Sequence, residues 1–333
     1  MSTPPRHENL RLVVSIINYQ TADLTKACVT SVLDDMAQAG LTDGAARVVV
    51  VDNASGDGSD EIISRWLAER PGMPVDLVRS DTNTGFSGGH NQGTGLHGAD
   101  YYLVLNSDAF LRPGFLGEIL SAADAHPEAG LIVPRIEHED GVVQVNCFRF
   151  ASPASEFIRG MNTGIVTRLL NRRNVSLGTE PEADQIEWAS FACILLRGTM
   201  VESVGPMDEG YFLYFEDAEY CLRARRAGWD IHRAPEAVAV HHRGGSGPVK
   251  ALAQARKRLP PYYYASRSRF LAQAHGRGGL WGANLLWLTG RGFGQLRRLA
   301  GKEIYPMAEK ELRDIWIGTA DPTASRRTFQ DTP

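Results

Sequence analysis

The first 135 residues alternate short, continuous apolar runs with stretches of helical periodicity. Apolar runs without polar alternation are typical of parallel strands that are covered on both faces. We predict five strands and, between the first three of them, two helices: strands at Leu10–Ile17, Arg47–Val51, Val75–Arg79, Tyr101–Leu105 and Leu131–Val133, and helices at Asp23–Ala39 and about Ser59–Glu69. Repeated strand–helix units predict an α/β fold with a mostly parallel, Rossmann-like central sheet flanked by helices. Ligands of such sheets bind at the carboxyl ends of the strands.

The remainder of the chain is less regular. Ala151–Asp184 has no clear period and is interpreted as a variable excursion, whereas Ile186–Leu196 is strand-like. A helix is predicted from about Asp217 to Ala227, with Gly228 as its C-cap. The tail from Lys250 has a mainly helical pattern. We therefore predict a domain at residues 1–249, with halves at about 10–135 and 136–249, and a helical C-terminal extension at 250–333.

The composition argues against several classes of protein. A net charge of -4 over 333 residues does not favour a nucleic-acid-binding protein. The four cysteines are scattered without CxxC spacing, which indicates neither a disulfide framework nor a zinc site and favours a cytoplasmic protein. The segment Met1–Leu10 is polar, so no signal peptide is predicted. The most apolar stretch of the tail, Leu280–Leu288, is far shorter than the ~20 residues that span a membrane.

Basic residues are concentrated in the tail. Between Lys250 and Lys302 there are 11 Lys or Arg and no Asp or Glu. This segment could contact an anionic partner, such as a membrane surface, or pair with acidic residues of the same protein. A helical lid and a homodimer contact are further alternatives. The residues considered for a membrane-facing surface are Tyr262, Tyr263, Tyr264, Arg267, Arg269, Trp281, Trp287, Arg297 and Arg298.

Three acidic side chains follow apolar segments. Asp52 and Asp108 come after the second and fourth predicted strands, and Asp217 follows the aromatic run Tyr211–Phe215. Each residue alone is also compatible with an Asx-turn or a helix N-cap. Three such placements in one α/β unit indicate a ligand crevice.

Two further segments carry candidate chemistry. Asn83–Gly93 is glycine-rich and is predicted to form a loop, before a short helix, that lets the backbone approach phosphate. Asn106-Ser107-Asp108 is interpreted as a metal motif with one carboxylate, whose open positions suit diphosphate oxygens and the preferences of Mg²⁺. An imidazole from His241 or His242 would favour Mn²⁺. Alternatively, the two histidines simply end a strand.

Five segments, taken in order, resemble the motifs of a known family. They are Val49-Val50-Val51-Asp52-Asn53-Ala54-Ser55, Asn83-Thr84-Gly85-Phe86-Ser87-Gly88-Gly89, Leu105-Asn106-Ser107-Asp108, Phe215-Glu216-Asp217-Ala218-Glu219-Tyr220-Cys221-Leu222-Arg223 and His242-Arg243-Gly244-Gly245-Ser246. This set is similar to the motifs of glycosyltransferase family 2, especially the bacterial rhamnosyltransferase-type enzymes of cell-surface polysaccharide assembly. The resemblance covers about residues 10–275.

The resemblance implies a GT-A fold and an inverting, metal-dependent mechanism. It implies Asp217 as the general base, with Glu216 as its rival, and Asp108 and His242 at a Mg²⁺ or Mn²⁺ ion. Asp52 would accept a hydrogen bond from the nucleotide base. The other implied donor-nucleotide residues are Asn18, Asn83, Gly85, Asn106 and Ser107. Trp188 and Phe191 would line the acceptor pocket.

The resemblance also implies partners. The donor would be a nucleotide-diphosphate sugar, with dTDP-rhamnose favoured and a UDP-sugar as the alternative. The acceptor would be a glycan or a lipid-linked glycan, reached from the cytoplasm at the inner face of the plasma membrane. A nucleotide-sugar-binding protein without turnover is the second function class, which the acidic residues Asp108, Glu216 and Asp217 disfavour.

Overall fold

The structure is a computed structural model that describes residues 10–42, 44–161, 163–242, 249–299, 301 and 306–324. The described residues form two compact units. The first unit draws on residues 1–146, 189–207 and 223–246, and the second on residues 147–188, 208–222 and 247–333. The domain boundaries predicted near residues 135 and 249 stay predictions.

Strands and helices alternate through the first part of the chain. In order, the elements are β1 (Leu10–Asn18), α1 (Ala22–Gln38), β2 (Ala46–Asp52), α2 (Ser59–Ala68), β3 (Val75–Arg79), α3 (Gly85–Gly95), β4 (Ala99–Asn106), β5 (Ala109–Leu111), α4 (Phe115–Ala125), β6 (Ala129–Glu137), β7 (Cys147–Phe148), α5 (Pro153–Met161), α6 (Gly164–Leu169), β8 (Trp188–Ala189), β9 (Cys193–Arg197), α7 (Gly198–Val204), α8 (Glu216–Arg226), β10 (Asp230–His241), α9 (Val249–Gln254), α10 (Pro261–Leu299) and α11 (Glu311–Asp314).

The first unit is built on an eight-stranded mixed sheet with the order β3-β2-β1-β4-β9-β6-β10-β5. The pairs β1–β2, β1–β4, β2–β3 and β6–β10 are parallel, while β9 runs antiparallel to β4 and β6, and β5 runs antiparallel to β10. Val48–Val51 and Leu103–Leu105 are fully buried, as expected for strands covered on both faces. The predicted α/β fold with a mostly parallel central sheet is confirmed.

β6 is longer than predicted and runs through Pro134. Proline cannot donate a hydrogen bond within a sheet and is therefore found at edges or irregularities. Here the partner strand provides the irregularity: Pro134 is opposite Ala234 and Arg135 is opposite Val238, so three residues of β10 are skipped. The strand can therefore continue to Glu137.

The glycine-rich segment is a helix rather than the predicted loop. Residues 85–95 form α3, which packs against β1 and β2. A Cβ atom added to Gly93 would lie 2.2 Å from the Ser15 Oγ atom, and one added to Gly89 would lie 2.7 Å from the Ile17 Cδ1 atom. The loop prediction was wrong because these two glycines allow a helix to approach a strand closely.

In the second unit, α5 packs directly on α10. A Cβ atom on Gly160 would lie 2.3 Å from the Trp287 carbonyl oxygen, and one on Gly290 would lie 2.6 Å from the Phe157 carbonyl oxygen. The two helix backbones therefore touch. α10 is interrupted at Gly276, whose φ of 72° is left-handed. The predicted excursion at 151–184 contains α5 and α6.

Three arginines of the basic tail pair with acidic residues of this same unit. Arg267 donates to Glu156 at 2.8 Å, Arg269 to Asp208 at 2.9 Å and Arg258 to Asp314 at 2.7 Å. The tail's predicted intramolecular pairing is therefore observed for these arginines.

Several residues considered for a membrane surface are buried in the second unit. Tyr262, Tyr264, Arg267 and Trp287 are each at most 2% exposed. That prediction was wrong for these four residues, because aromatic packing and the Arg267–Glu156 pair draw them into the core. No helix in the described part of the chain combines the length and apolarity needed to cross a membrane.

Candidate active site

Asn18 and Asp52 lie at the ends of β1 and β2, directly opposite each other. The Asn18 Nδ2 atom donates to Asp52 Oδ1 at 2.6 Å and to Ser55 Oγ at 3.1 Å. Ser55 donates to both oxygens of Asp52, from Oγ at 2.6 Å and from its backbone N–H at 3.2 Å. The Asn18 Oδ1 atom accepts from Thr25 Oγ1 at 2.9 Å. This network fixes the orientation of the buried Asp52 carboxylate.

Asn53 joins the end of β2 to the start of α3. Its side-chain oxygen accepts from the N–H and the Oγ1 of Thr84, each at 2.9 Å. Its Nδ2 atom donates to Asn83 Oδ1 at 3.1 Å and to the Gly85 carbonyl at 2.9 Å. No role was predicted for Asn53, although its position directly after Asp52 was a usable signal. The nucleotide-binding roles of Asn83 and Gly85 stay predictions.

The end of β4 brings two more candidates close to β1. Ser107 Oγ lies 3.0 Å from Thr21 Oγ1, in the turn that follows β1. The Asn106 backbone N–H donates to the Ala192 carbonyl at 2.9 Å. The first unit therefore gathers Asn18, Asp52, Asn106 and Ser107 at neighbouring strand ends, as parallel topology predicts.

Asp108 occupies the turn between β4 and β5 and is 1% exposed. Among the described residues, no donor forms a hydrogen bond with either carboxylate oxygen. The His241 Nε2 atom lies 3.2 Å from Oδ1 and 3.5 Å from the Asn106 Nδ2 atom. Buried carboxylates are normally hydrogen-bonded or compensated by a cation. The side chain is therefore arranged to receive positive charge.

His242 is oriented differently from His241. Its Nδ1 atom contacts Glu139, and its ring packs edge-on against Phe110 with centroids 4.7 Å apart. Its backbone N–H donates to the Asp108 carbonyl at 2.9 Å. Of the two histidines, His241 has its imidazole beside Asp108, and a metal-binding role for His242 stays a prediction. The rest of this motif, residues 243–246, lies outside the described residues.

The residues around Asp108 fit a divalent cation whose remaining coordination positions are filled by a bound ligand. Over the described ranges, no group of three or more His, Cys, Asp or Glu side chains is placed to hold a metal ion. Asp108 supplies two unbonded carboxylate oxygens, and His241 supplies a nearby imidazole. Such a set suits Mg²⁺ or Mn²⁺ with its other positions filled by diphosphate oxygens and water.

Gln144 supports the strand end that carries His241. Its Nε2 atom donates to the carbonyls of Glu137, at 3.0 Å, and of His241, at 2.9 Å. It also lies 3.1 Å from the His138 Nδ1 atom. Gln144 is buried and joins the ends of β6 and β10. Sequence reasoning missed this residue, because Gln144 and His241 are far apart along the chain and no local pattern marks the contact.

In the second unit, a strained turn leads into α8. Tyr214 and Phe215 have φ values of 72° and 70°, in the left-handed region that side chains other than glycine rarely adopt. Strain of this kind persists where the surrounding structure enforces it and is frequent at functional sites. It places Glu216 and Asp217 in the first turn of α8, where the helix dipole favours negative charge.

Glu216 and Asp217 have different surroundings. Burial raises the pKa of the Glu216 carboxyl well above its ordinary value of 4.5, and the neighbouring charge of Asp217 raises it further. The Oε2 atom of Glu216 is buried without a hydrogen-bond partner among the described residues. Asp217 is half-buried, and its Oδ1 atom accepts from the Ala218 N–H at 2.8 Å. Burial and the adjacent acidic residue therefore favour the protonated form of the Glu216 carboxyl.

The predicted acceptor residues belong to different units. Trp188, in the second unit, stacks on Phe148 with centroids 4.4 Å apart and donates from Nε1 to the Arg149 carbonyl at 2.9 Å. Phe191, in the first unit, is 1% exposed. Their roles toward an acceptor stay predictions.

Comparison with known proteins finds a family match in the first half of the chain. Residues 13–165 match the sequence profile of glycosyl transferase family 2. Over this range the chain is similar to that family. The matched range contains Asn18, Asp52, Asn83, Gly85 and Asn106 through Asp108.

Similar proteins extend the likeness beyond that range. The chain is 29% identical over 265 residues to the N-acetylglucosaminyl-diphospho-decaprenol L-rhamnosyltransferase of Mycobacterium tuberculosis, covering 74% of this chain and 80% of the relative. Its fold resembles that of a mannosyltransferase from Pyrobaculum calidifontis solved with GDP-Man and Mn²⁺, with a TM-score of 0.53, 16% identity and coverage of 96% of this chain and 84% of that one. It also resembles S. aureus TarS solved with UDP, with a TM-score of 0.51, 13% identity and coverage of 94% and 80%. The expected GT-A fold is thereby confirmed.

Proposed function

We propose that this protein is an inverting, metal-dependent rhamnosyltransferase of glycosyltransferase family 2. Its donor is dTDP-rhamnose, and its acceptor is a lipid-linked glycan at the cytoplasmic face of the plasma membrane. The similarity to a rhamnosyltransferase named for a diphospho-decaprenol acceptor supports this choice of donor and acceptor. A UDP-sugar is the alternative donor.

The proposal rests on the burial of the Asp108 carboxylate and on its lack of hydrogen-bond donors among the described residues. A fully buried carboxylate without hydrogen-bond donors is unfavourable unless a cation compensates it. The position of Asp108, just past the carboxyl end of β4, is where sheets of this type bind their ligands. Asp108 thus has both the chemistry and the location of a metal ligand.

The nucleotide side of the site is prepared by hydrogen bonds within the protein. Asp52 is held by Asn18 and Ser55, so its orientation is fixed before any donor arrives. In the proposal, Asp52 accepts a hydrogen bond from the nucleotide base. Asp108, with His241 nearby, holds the cation. When bound, that cation neutralises the negative charge that develops on the departing diphosphate.

The chemical step is a single displacement at the anomeric carbon. The acceptor hydroxyl oxygen forms the new C–O bond while the bond to the diphosphate breaks, and the nucleoside diphosphate leaves with the electron pair. The hydroxyl proton passes to the Asp217 carboxylate, which acts as general base. The raised pKa of Glu216 supports this assignment, because a carboxyl that retains its proton cannot serve as the base.

The experiment that tests the proposal measures nucleotide release from a panel of donors. The full chain is incubated with dTDP-rhamnose, UDP-sugars or GDP-mannose, with Mn²⁺ or Mg²⁺ and a lipid-linked glycan acceptor. We expect acceptor-dependent release from dTDP-rhamnose that stops when the metal is chelated. The same release is measured for Asp108→Asn, in which it should fall. The matched control is Asp34→Asn, which changes an exposed carboxylate of α1. Release from a UDP-sugar alone would identify the alternative donor, and no release from any donor would contradict the proposal.

A further inference from the structure

The second half of α10 has an exposed apolar face. Beyond Gly276, the exposed large apolar residues recur along one side of the helix, and Trp281, Leu285, Phe293 and Leu296 are 50–60% exposed. The opposite side, with Trp287 and Gly290, is buried against α5. From Trp281 to Leu296 the exposed side extends for about 22 Å at the rise of an α-helix. Trp281 packs against Trp316 with ring centroids 5.2 Å apart, and Leu285, Phe293 and Leu296 form an apolar stripe that the described residues leave exposed.

The short helix α6 in the same unit carries two further exposed apolar side chains. Ile165 is 70% exposed and Leu169 is 78% exposed, and α6 adjoins α5. Isolated exposed leucines are ordinary on protein surfaces, but an apolar stripe such as that of α10 indicates an interaction site. We call the α6 side chains and the α10 stripe together the apolar–basic surface, because both segments also carry exposed arginines.

The charges of these segments are all of one sign. The ranges 163–173 and 249–299 contain no Asp or Glu. Arg168, Arg172, Arg173, Arg277 and Arg298 are exposed, and none of them forms an ion pair with another described residue. They differ in this respect from Arg258, Arg267 and Arg269, which are paired inside the unit. The unpaired arginines are therefore available to an anionic partner.

This charge pattern distinguishes between two occupants of the surface. A second copy of the chain would bring arginines against arginines, and such repulsion opposes association. An anionic bilayer would accept the apolar side chains at the boundary of its acyl region and the arginines at its headgroups. We propose that the apolar–basic surface of α6 and α10 docks on an anionic lipid bilayer. The inference deepens the proposed function and rests on it, since a lipid-linked acceptor is presented at such a surface.

The test is flotation of the full chain with lipid vesicles. We expect binding to equimolar phosphatidylglycerol–phosphatidylcholine vesicles, weaker binding at high salt, and little binding to phosphatidylcholine alone. The double variant Leu285→Glu/Phe293→Glu should lower partitioning by at least about tenfold, because two apolar side chains no longer enter the interface. The matched control is Ile62→Glu/Leu96→Glu, at two apolar residues of the first unit with 44% and 46% exposure. This control should bind vesicles like the wild type.

Several outcomes would overturn the proposal. Equal partitioning to neutral and anionic vesicles would do so, as would binding that the α10 double variant leaves unchanged. A second copy of the chain would be the occupant if the wild type sediments as a dimer, does not bind vesicles, and becomes a monomer in the α10 double variant. Binding of dTDP-rhamnose with Mn²⁺ is measured in parallel without vesicles. A wild-type chain that binds the donor but not anionic vesicles would contradict the docking surface. A wild-type chain that binds anionic vesicles but not the donor would contradict the proposed function.

Discussion

The His241 Nε2 atom lies 3.2 Å from the Asp108 Oδ1 atom, yet neither oxygen of that carboxylate accepts a hydrogen bond from a described residue. Backbone hydrogen bonds position the two residues: β5 pairs with the end of β10, and the His242 N–H donates to the Asp108 carbonyl oxygen. The strand ends therefore preorganise a carboxylate and an imidazole while leaving the carboxylate oxygens for a cation.

Asp108→Asn should separate metal-dependent activity from folding. We expect transfer to fall by about 10²–10³-fold, since asparagine would bind less tightly the cation that would stabilise the leaving group. Without metal, the melting temperature should stay equal or rise, because removing a buried, uncompensated charge is not destabilising. Calorimetry with and without Mn²⁺ measures this, with Asp34→Asn as control. A markedly lower melting temperature in the absence of metal would indicate a structural role instead.

Glu216→Gln should stabilise the protein more at high pH than at low pH. The pKa of Glu216 is raised in the folded protein, so its favourable contribution is complete below the unfolded value of 4.5 and is lost as the pH rises toward the folded value. Glutamine removes this pH-dependent loss. Urea unfolding at pH 5 and pH 8 should show a larger gain for the variant at pH 8. A gain that does not change with pH would contradict the raised pKa.

His90 should make the protein sensitive to acid. Burial lowers the pKa of His90 to about 3, and its Nδ1 atom lies 2.9 Å from Ser15 Oγ. Because the folded pKa is below the unfolded value of 6.5, stability is complete above pH 6.5 and falls as the pH decreases toward 3. The slope contributed by one such group approaches about 1.4 kcal/mol per pH unit. Unfolding free energies at pH 7, 6 and 5 check this, and a flatter dependence in His90→Gln is expected.

Gly93→Ala should destabilise the first unit, whereas Gly95→Ala should not. The added methyl group at residue 93 would lie 2.2 Å from Ser15 Oγ, but one at residue 95 would meet nothing within 4 Å. We expect a loss of about 1–3 kcal/mol for the first substitution and a change between zero and a gain of about 1 kcal/mol for the second. Chemical denaturation of both variants measures the difference. Equal effects would contradict the close approach of α3 to β1.

Sequence patterns predicted the elements whose signals are local. Apolar runs located the strands, with Val75–Arg79 matched at both ends, and placed Asp52 and Asp108 at or just past strand ends. Most of helix α3 was predicted as a loop that precedes a short helix, because glycine has a low intrinsic helix propensity and the benefit of its small size lies in packing against Ser15, far away in sequence.

Contacts that depend on tertiary structure were also beyond prediction. The pairing of Arg267 with Glu156, and of Gln144 with the His241 carbonyl, joins residues about a hundred positions apart. No periodicity encodes such partners. For this reason the basic tail could be described by its charge, but its paired and unpaired arginines could be distinguished only in the structure.

The most direct test of the proposed mechanism is transfer by Asp217→Asn under single-turnover conditions. The full chain is mixed with dTDP-rhamnose, Mn²⁺ and a lipid-linked acceptor, and donor affinity is measured separately by calorimetry. Asp184→Asn, at an exposed carboxylate of the same unit, is the control. We predict unchanged donor affinity in both variants, with transfer reduced by about 10³-fold or more in Asp217→Asn alone. Transfer at the wild-type rate by Asp217→Asn would contradict the assignment of the general base.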